Sequence, residues 1–260
     1  MNNIQAALAD RDLDWIIPNW PAPANVRALM TTRNADIERG IRRRMNLAGA
    51  TGDATDEVER NRALLRSVTG VDPFWLSQTH GTNVARIDDI DDIDAAQPVE
   101  ADGAVVTRGG AAATVRIADC MPVLFCTRNG SRVAAAHAGW RGLSAGILEA
   151  TVRAIGADRG QVIAWLGPAI GPDAFEVGED VYRAFTDSDP EARTSFAPYP
   201  GRPGKWLADF YALARMRLRN AGVTSIHGGG FCTFTDASRF FSYRRDKTME
   251  RMAALVWLAP

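Results

Sequence analysis

The sequence is poor in the two side chains that bind soft metals and carry most nucleophilic chemistry. Its 260 residues include three histidines and three cysteines. Three cysteines do not make the dense framework of a disulfide-stapled secreted domain, and an odd number cannot be fully paired. We therefore expect Cys120, Cys126 and Cys232 to be thiols in a reducing, cytoplasmic compartment.

The chain also lacks long apolar runs, a strong net charge and a flexible linker. No apolar stretch approaches the ~20 residues of a membrane-spanning helix. The first residues, Met1–Gln5, show no basic segment followed by an apolar one, so we expect no secretory leader. A net charge of −1 gives no general attraction to nucleic acid or to anionic lipid. An apolar content of 46 % predicts a sizeable core, and without a linker we expect a single domain.

Short apolar runs bounded by glycine or proline predict a chain rich in strands. Strands are expected over Val26–Thr32, repeatedly between Gly103 and His137, and again at Ile163–Leu166 and Ala254–Leu258. Periodic apolar positions predict helices over Thr55–Val68, Leu143–Ile155, Gly178–Phe185 and Leu207–Ala221. Arg39–Arg44 is expected to be an irregular or loosely helical loop, and Asp88–Asp94 an exposed acidic loop. The fold class is therefore mixed α/β, with mixed sheets flanked by helices.

Three of the soft side chains lie beside glycine or proline where predicted strands end. They are His80 before Gly81, Cys120 in Asp119–Pro122, and His137 shortly before Gly139. Backbone at such points can bring distant side chains together. Two imidazoles and one thiolate match a catalytic zinc site that keeps one position open. The sequence therefore predicts a metal centre of His80, Cys120 and His137.

The same residues also fit a hydrolase that needs no metal. Cys120 would be the nucleophile, His137 or His80 its base, and Asp119 the residue that orients the histidine. A Cys–His dyad and a Cys–His–His metal site both require a thiolate beside an imidazole. The sequence leaves the two alternatives open.

The segment after His137 predicts an anion site. Gly139 and Gly142 lie at an expected helix start, where free backbone N–H groups attract anions. Arg141 adds a guanidinium that can bind phosphate or carboxylate through two hydrogen bonds. A substrate that carries both a polar heterocycle or carbonyl and a phosphate would suit this neighbourhood.

The remaining soft side chains have weaker contexts. His227 lies before three glycines and is expected to be structural. Cys126 stands in an apolar strand, where a cysteine packs as a small hydrophobe. Cys232 precedes polar residues and receives no assigned role.

A series of short motifs resembles one protein family. Members of this family were first named for a multicopper polyphenol oxidase (laccase) domain. They are described as purine nucleoside phosphorylases that also deaminate adenosine and phosphorolyse methylthioadenosine. The resemblance runs from about Thr31 to the C-terminus and is most specific between Asp119 and Gly142. The motifs are Thr31–Arg33, Asn46-Leu47, Asn61-Arg62, Gln78–Gly81, Ala101–Gly103, Ala118–Leu124, Ala135–Gly142, Leu166–Gly171 and Phe240–Arg245.

The resemblance implies a fold, a cofactor and substrates. The fold would be one mixed α/β sandwich over residues 1–260, with residues 1–25 as an N-terminal extension and a distant similarity to a cysteine-dependent toxin deamidase. Zinc, or alternatively copper, would be held by the two histidines and the thiol named above. The partners would be a nucleoside and phosphate, and the protein would be a monomer. Residues on the family's pocket motifs are Asn46, Arg62, Gln78 and Arg141.

The resemblance also suggests roles and alternatives. Arg141, Arg62 and the helix start would hold the phosphate, which would attack the ribose C1′. Asp102 or Asp119 would position a ribose hydroxyl or move a proton. One bacterial branch of the family is linked to peptidoglycan-precursor quality control, so an editing amidase that uses the same residues is the main alternative. Copper-dependent phenol oxidation is a weaker one, because three histidines are too few for a multicopper enzyme. A non-catalytic binding partner would not need a thiolate.

Two segments depart from the family pattern. The family usually carries Gly-Gly-x-Ser shortly after Thr-Thr-Arg, where this chain has Asn34–Arg39. Near the C-terminus it tends to have Thr-Gly-Arg-Met, where this chain has Met249–Met252 with Glu250 in place of glycine. If that glycine requires a positive φ, the local backbone must differ here.

Overall fold

A computed structural model describes residues 3–49, 55–90 and 99–259. In chain order, the strands β1 to β17 within these ranges are Val26–Met30, Asn34–Glu38, Ile41–Arg44, Asp72–Phe74, Leu76–Ser77, Val84–Arg86, Val99–Glu100, Gly103–Val106, Ala111–Ile117, Met121–Thr127, Val133–Ala138, Val162–Leu166, Glu176–Gly178, Phe196–Pro198, Lys205–Ala208, Ser225–Gly228 and Met252–Leu258. The helices α1 to α7 are Asn3–Ala9, Thr55–Thr69, Trp140–Ala145, Ile147–Ile155, Glu179–Thr186, Phe210–Asn220 and Tyr243–Asp246.

Two mixed sheets form the centre of the molecule. The six-stranded sheet has the order β16-β12-β10-β11-β8-β6, and the four-stranded sheet has the order β1-β17-β9-β4. Parallel pairs stand at both edges of the larger sheet, β12 with β16 and β6 with β8, and its inner pairs are antiparallel. In the smaller sheet β4 and β9 are parallel, and the other pairs are antiparallel.

The two sheets pack face to face because their strands alternate apolar side chains between two cores. On β10, Leu124 and Cys126 belong to the core between the sheets, whereas Val123 and Phe125 face the helices on the other side. β17 behaves alike, since its even-numbered residues join the inner core and Leu255 and Trp257 face outward. Both strands are buried along their whole length, which explains why they are continuous apolar runs in the sequence.

Helices cover both outer faces of this sandwich. The core beyond the six-stranded sheet contains Leu148 of α4 and Leu213 of α6. The core beyond the four-stranded sheet contains Leu8 of α1 and Leu65 of α2. The predicted mixed α/β sandwich flanked by helices is confirmed, and the similarity to a toxin deamidase stays a prediction. Within the described ranges, no helix is long and apolar enough to cross a membrane.

The arginine-rich segment differs from its expected structure. Asn34–Glu38 and Ile41–Arg44 form an antiparallel hairpin instead of an irregular or loosely helical loop. Its turn is made by Arg39 and Gly40, both at positive φ. Arg43 lies 2.5 Å from Asp36, so ion pairs within the hairpin replace the apolar pattern that usually signals a strand.

Two predicted helices have different limits. The expected helix Leu143–Ile155 is two helices, α3 and α4, because Gly146 adopts a φ of 102° and interrupts the first. The expected helix Leu207–Ala221 begins at Phe210, after Asp209 accepts a hydrogen bond from the Ala212 N–H as its N-cap. Leu207 and Ala208 belong to β15, which pairs with β13 and β14.

The acidic loop predicted over Asp88–Asp94 is only partly described. Ile87–Asp89 is a short 3₁₀ helix rather than a loop, and residues 91–94 lie outside the described ranges. The Asp88 carboxylate accepts hydrogen bonds from the Thr107 backbone and hydroxyl and from the Arg108 N–H. Asp88 therefore holds the chain at the far end of β8 instead of facing solvent freely.

Candidate metal centre

The three candidate ligands meet because neighbouring strands of the six-stranded sheet begin or end on the same side of the sheet, at the ends of the strands. Cys120 directly precedes β10, and Met121 pairs with Ala138 at the end of the antiparallel β11. His137 therefore lies beside the start of β10, close to Cys120. Asp102 directly precedes β8, and its carbonyl accepts a hydrogen bond from the His137 N–H at 2.7 Å. The sheet register thus concentrates these side chains at a single point.

The loop that carries His80 is held at the same edge by a buried carboxylate. Asp102 has no solvent exposure. Its two oxygens accept hydrogen bonds from the backbone N–H groups of Thr79 (3.1 Å), His80 (2.9 Å) and Gly81 (2.7 Å). His80 has a φ of 62°, an unusual conformation for a residue with a side chain, and these three bonds stabilise it.

The ligand atoms of His80, Cys120 and His137 all lie within 4.8 Å of one another. The Cys120 Sγ is 3.8 Å from the His80 Nε2, and the two imidazole rings meet edge to face with centroids 4.8 Å apart. Gly139 makes this approach feasible, because a Cβ there would lie 2.6 Å from the His80 ring. A set of two imidazoles and one thiol at such separations can hold one metal ion.

Asp102 also fixes the orientation of the His137 ring. The His137 Nδ1 lies 2.8 Å from an Asp102 oxygen. Burial alone would raise the pKa of Asp102, but hydrogen bonds from His137 and Gly81 lower it to about 2, so the carboxylate is ionised and can only accept. Nδ1 is therefore the donor, and Nε2 is the nitrogen that a metal would bind after displacing its proton.

The thiol and the buried imidazole form a coupled pair. Burial raises the pKa of Cys120, but the charge and hydrogen bonds of His137 and His80 outweigh it and lower the pKa to about 6. Burial lowers the pKa of His137, whereas the charge of Cys120 and the hydrogen bond to Asp102 raise it to about 9. At neutral pH the pair is a thiolate beside an imidazolium, ready to exchange a proton for a metal.

This pairing predicts the pH dependence of alkylation in metal-depleted protein. Because the thiolate reacts and its pKa lies near 6, the iodoacetamide rate at Cys120 is expected to level off above about pH 7. An ordinary thiol would continue to gain rate up to about pH 9. Peptide mapping by mass spectrometry separates Cys120 from Cys126, whose pKa burial raises to about 12. A rate at Cys120 that keeps rising through pH 8 would contradict the pairing.

The ligands open onto a cavity of about 460 Å³, called here the site cavity. This volume lies within the usual range for small-molecule sites, roughly 300–1,000 Å³. Besides the three ligands, its lining includes Gln78, Arg116, Tyr243, Met249 and Arg251. Tyr243 and Met249 are 47 % and 53 % exposed, so they offer apolar surface to a ligand.

Two of the predicted pocket residues act mainly on the backbone around this cavity. Gln78 lines it, but its side-chain amide bonds the Arg116 N–H at 2.8 Å and the Arg116 carbonyl at 2.9 Å. Asn46 is buried, and its Oδ1 accepts hydrogen bonds from the N–H groups of Ala48 and Arg251. Asn46 thereby joins the segment before β17 to the segment that carries Ala48 and Gly49, both of which line the cavity.

The two predicted arginines make contacts outside the lining of the site cavity. Arg62 is on α2, forms an ion pair with Glu59 at 2.8 Å and lies 5.1 Å from the ring of Trp75. Arg141 is exposed, and its guanidinium lies 4.3 Å from the ring of Trp140. Neither is among the residues that line the site cavity.

Asp119 is close to Cys120 in sequence, but its side chain makes other contacts. Its carboxylate accepts hydrogen bonds from the Thr233 hydroxyl at 2.6 Å and the Arg244 N–H at 2.7 Å. Asp119 has a φ of 84°. It therefore anchors the start of α7, next to Tyr243, instead of orienting a ligand histidine. Asp102 holds that place, and its burial keeps it from reaching a ribose hydroxyl.

The residue that replaces the family's glycine is accommodated by an ion pair. Glu250 is 6 % exposed and pairs with Arg44, whose guanidinium lies 5.4 Å from the ring of Phe241. Arg44 belongs to the hairpin that contains the other departure, Asn34–Arg39. Glu250 therefore contacts the hairpin that contains the other departure from the family pattern.

The other histidine and cysteines lie outside the ligand group. The His227 Nε2 is 3.0 Å from the Ser225 hydroxyl on β16. Cys126 is fully buried between the sheets. Cys232 is partly buried and accepts a hydrogen bond from the Gly171 N–H at 3.2 Å. All three cysteines are free.

Comparison with known proteins shows close relatives over nearly the whole chain. A Pseudomonas aeruginosa protein named purine nucleoside phosphorylase PA4543 is 48 % identical over 94 % of this chain and 98 % of its own length. Purine nucleoside phosphorylase YfiH of Escherichia coli is 45 % identical over 94 % of this chain and 98 % of its own.

Solved structures share the fold. Neisseria meningitidis protein NMB0706 is 44 % identical, with a TM-score of 0.88 over 95 % of this chain and all of that chain. YlmD of Geobacillus stearothermophilus is 27 % identical, with a TM-score of 0.79 over 92 % of this chain and 94 % of that chain. The model of one family, described as multi-copper polyphenol oxidoreductase laccase, matches residues 27–259. Because this match spans nearly all of the 260 residues, the chain belongs to that laccase-like family.

Proposed function

We propose that the protein is a purine nucleoside phosphorylase that also deaminates adenosine and phosphorolyses methylthioadenosine. One observation carries the proposal: two imidazoles and a thiol converge in a cavity of the size usual for small-molecule sites. The names of the relatives supply the substrate class, since those at 43–48 % identity are called purine nucleoside phosphorylases.

The donor set of this cavity fits one zinc ion better than a copper cluster. His80, Cys120 and His137 would hold it, with Asp102 behind two of them. A zinc ion there would supply positive charge and Lewis-acid polarisation without redox chemistry. The third histidine of the chain, His227, is bonded elsewhere, so the described residues lack the ligands of a multicopper centre.

Phosphorolysis makes two demands that the lining of this cavity can meet. A phosphate oxygen forms a bond to the ribose C1′, and the bond from C1′ to the purine breaks, so that the electron pair leaves on the base. The site must therefore hold an anion and a purine side by side. The Tyr243 ring and the Met249 side chain offer a surface for the base, and the arginines of the lining supply charge for the anion.

A direct assay tests this activity. Purified protein is incubated with inosine with and without inorganic phosphate, and hypoxanthine and ribose 1-phosphate are quantified by chromatography. We expect hypoxanthine release that requires phosphate and yields ribose 1-phosphate in equal amount. Metal content is measured on the same sample, purified without chelator, and we expect zinc. Hypoxanthine release that is independent of phosphate would contradict phosphorolysis.

A second candidate function is supported by the geometry of Cys120, His137 and Asp102. A lowered thiol pKa beside an imidazole that a buried carboxylate orients is the arrangement of a cysteine hydrolase. An amidase that edits peptidoglycan precursors could use it without metal. Full activity on an amide substrate after metal removal would favour this function over the phosphorylase.

We also propose that the protein works as a monomer in the cytoplasm. The three candidate ligands and the residues that line the site cavity stand in a single chain. The thiolate of Cys120 must stay reduced to bind metal or act as a nucleophile, which a reducing compartment ensures.

A further inference from the structure

Two arginines line the site cavity on the side formed by the four-stranded sheet. Arg116 lies on β9, and Arg251 directly precedes β17. These strands are antiparallel neighbours, with Met252 paired to Ile117. The two arginines therefore lie close together at the same end of the strands. Their strands belong to a different sheet from β10 and β11, which position Cys120 and His137 in the same cavity.

Both guanidinium groups are held by backbone carbonyls. Arg116 donates to the Leu76 carbonyl at 2.8 Å, and Arg251 donates to the carbonyls of Glu250 at 2.8 Å and Thr248 at 3.3 Å. Within residues 3–49, 55–90 and 99–259, neither arginine forms an ion pair with a carboxylate. Their orientation is therefore fixed, and among the described residues no carboxylate forms an ion pair with either charge.

The protein bears an electrostatic cost at this position. Burial lowers the pKa of Arg116, and the charges of Arg62 and Arg251 lower it further. Burial likewise lowers the pKa of Arg251, while Cys120 and Asp119 act in the opposite direction. By contrast, the partly buried Arg217 is neutralised by Glu149 at 2.6 Å. Two fixed guanidinium groups that line a cavity and pair with no carboxylate are a site for an oxyanion.

We infer that Arg116 and Arg251 bind inorganic phosphate as the co-substrate, an assignment that rests on the proposed phosphorylase function. Phosphate between them would lie beside the candidate ligands, and the base would lie toward Tyr243 and Met249. This differs from the sequence-based expectation of phosphate at Arg141, which is exposed and belongs to a helix of six residues.

Charge removal at each position tests the assignment. In Arg116→Gln and Arg251→Gln, the KM for phosphate in inosine phosphorolysis is expected to rise by about tenfold or more, because a charge-assisted pair of hydrogen bonds is lost. The KM for inosine should change by less than about threefold, since uniform loss of binding would point to a general defect. Arg251→Lys should recover part of the phosphate affinity, because a lysine restores charge without the planar fork.

The matched control is Arg153→Gln, which removes the same charge from an exposed position on α4. Its phosphate KM should equal that of the unchanged protein. Thermal unfolding of each variant identifies any variant that is not folded. If Arg251→Gln is not folded, Arg251→Lys takes its place. A folded glutamine pair that keeps the phosphate KM of the unchanged protein would overturn the assignment.

Phosphate binding without a nucleoside separates this inference from the proposed function. Calorimetry with orthophosphate alone should show binding that both glutamine variants lose. If that holds while inosine is never cleaved, the anion site stands and the phosphorylase function fails. If the unchanged protein binds no orthophosphate, the assignment is wrong. It is also wrong if the variants lose binding of inosine 5′-monophosphate but keep binding of orthophosphate, because the arginines would then bind the phosphate of a nucleotide.

Discussion

Cys120→Ala is expected to eliminate metal binding and inosine phosphorolysis together. The substitution removes the thiolate, which is the one anionic ligand among three donors within 4.8 Å. Loss of an outer-shell partner typically lowers metal affinity by about 10–100-fold, so loss of a ligand should exceed about a hundredfold. Metal content by mass spectrometry and hypoxanthine release by chromatography check the result. A hydrolase that uses Cys120 as its nucleophile would also lose its activity. His80→Ala separates the two functions, because it removes a metal ligand and leaves Cys120, His137 and Asp102 in place.

Cys126→Ala provides the matched control for this result. Cys126 lies on the same strand that Cys120 precedes, but it is buried between the sheets and its thiol stays protonated. The variant should keep its metal and most of its activity, with a loss of stability of about 1 kcal/mol from the small void. Equal losses of metal in the two variants would contradict the assignment of Cys120 as a ligand.

The layers of the fold could be predicted because most of the strands that build them are buried on both faces. β10 and β17 read as unbroken apolar runs, and their length and flanking residues exclude a helix. The hairpin Asn34–Arg44 could not be predicted in this way, because its strands are charged and half-exposed. It is stabilised by contacts with distant residues, such as Arg44 with Glu250, which no local pattern contains.

The convergence of the ligands could be predicted for a different reason, the scarcity of soft side chains. With three histidines and three cysteines, few combinations exist, and the family-like motifs around His80, Cys120 and His137 point to one of them. The sequence does not contain the strand register that brings Met121 opposite Ala138. The prediction therefore reached the identity of the group but not the reason why its members meet.

The role of the acidic residues was harder to predict. Asp102 and Asp119 both stand next to a turn, and the sequence assigned the histidine-orienting role to Asp119. The difference lies in tertiary contacts: Asp102 faces His137 and the His80 loop, whereas Asp119 faces Thr233 and α7. Arg116 and Arg251 escaped notice because each stands in or beside an apolar strand, where a single charge reads as an exception.

Asp102→Asn is expected to lower metal affinity by about 10–100-fold while the fold is retained. Every partner of this carboxylate is a donor: His137 and His80 at Oδ1, and Thr79 and Gly81 at Oδ2. An asparagine has the same shape, but its NH₂ group must face donors on one side and lose hydrogen bonds there. Either His137 loses its fixed ring orientation or the His80 loop loses its anchor. Chelator competition measures the affinity, and circular dichroism checks the fold.

Asp88→Asn separates this effect from a general loss of stability. Asp88 resembles Asp102 in that its carboxylate has donors as its hydrogen-bond partners, but it lies at the opposite end of β8. These donors are the Thr107 N–H and hydroxyl and the Arg108 N–H. Its replacement should therefore impose a similar mismatch on the protein and leave metal affinity unchanged. If Asp88→Asn weakened metal binding as much as Asp102→Asn, the decrease would reflect loosening of the sheet. A decrease confined to Asp102→Asn would instead mean that a buried carboxylate sets the geometry of both imidazoles.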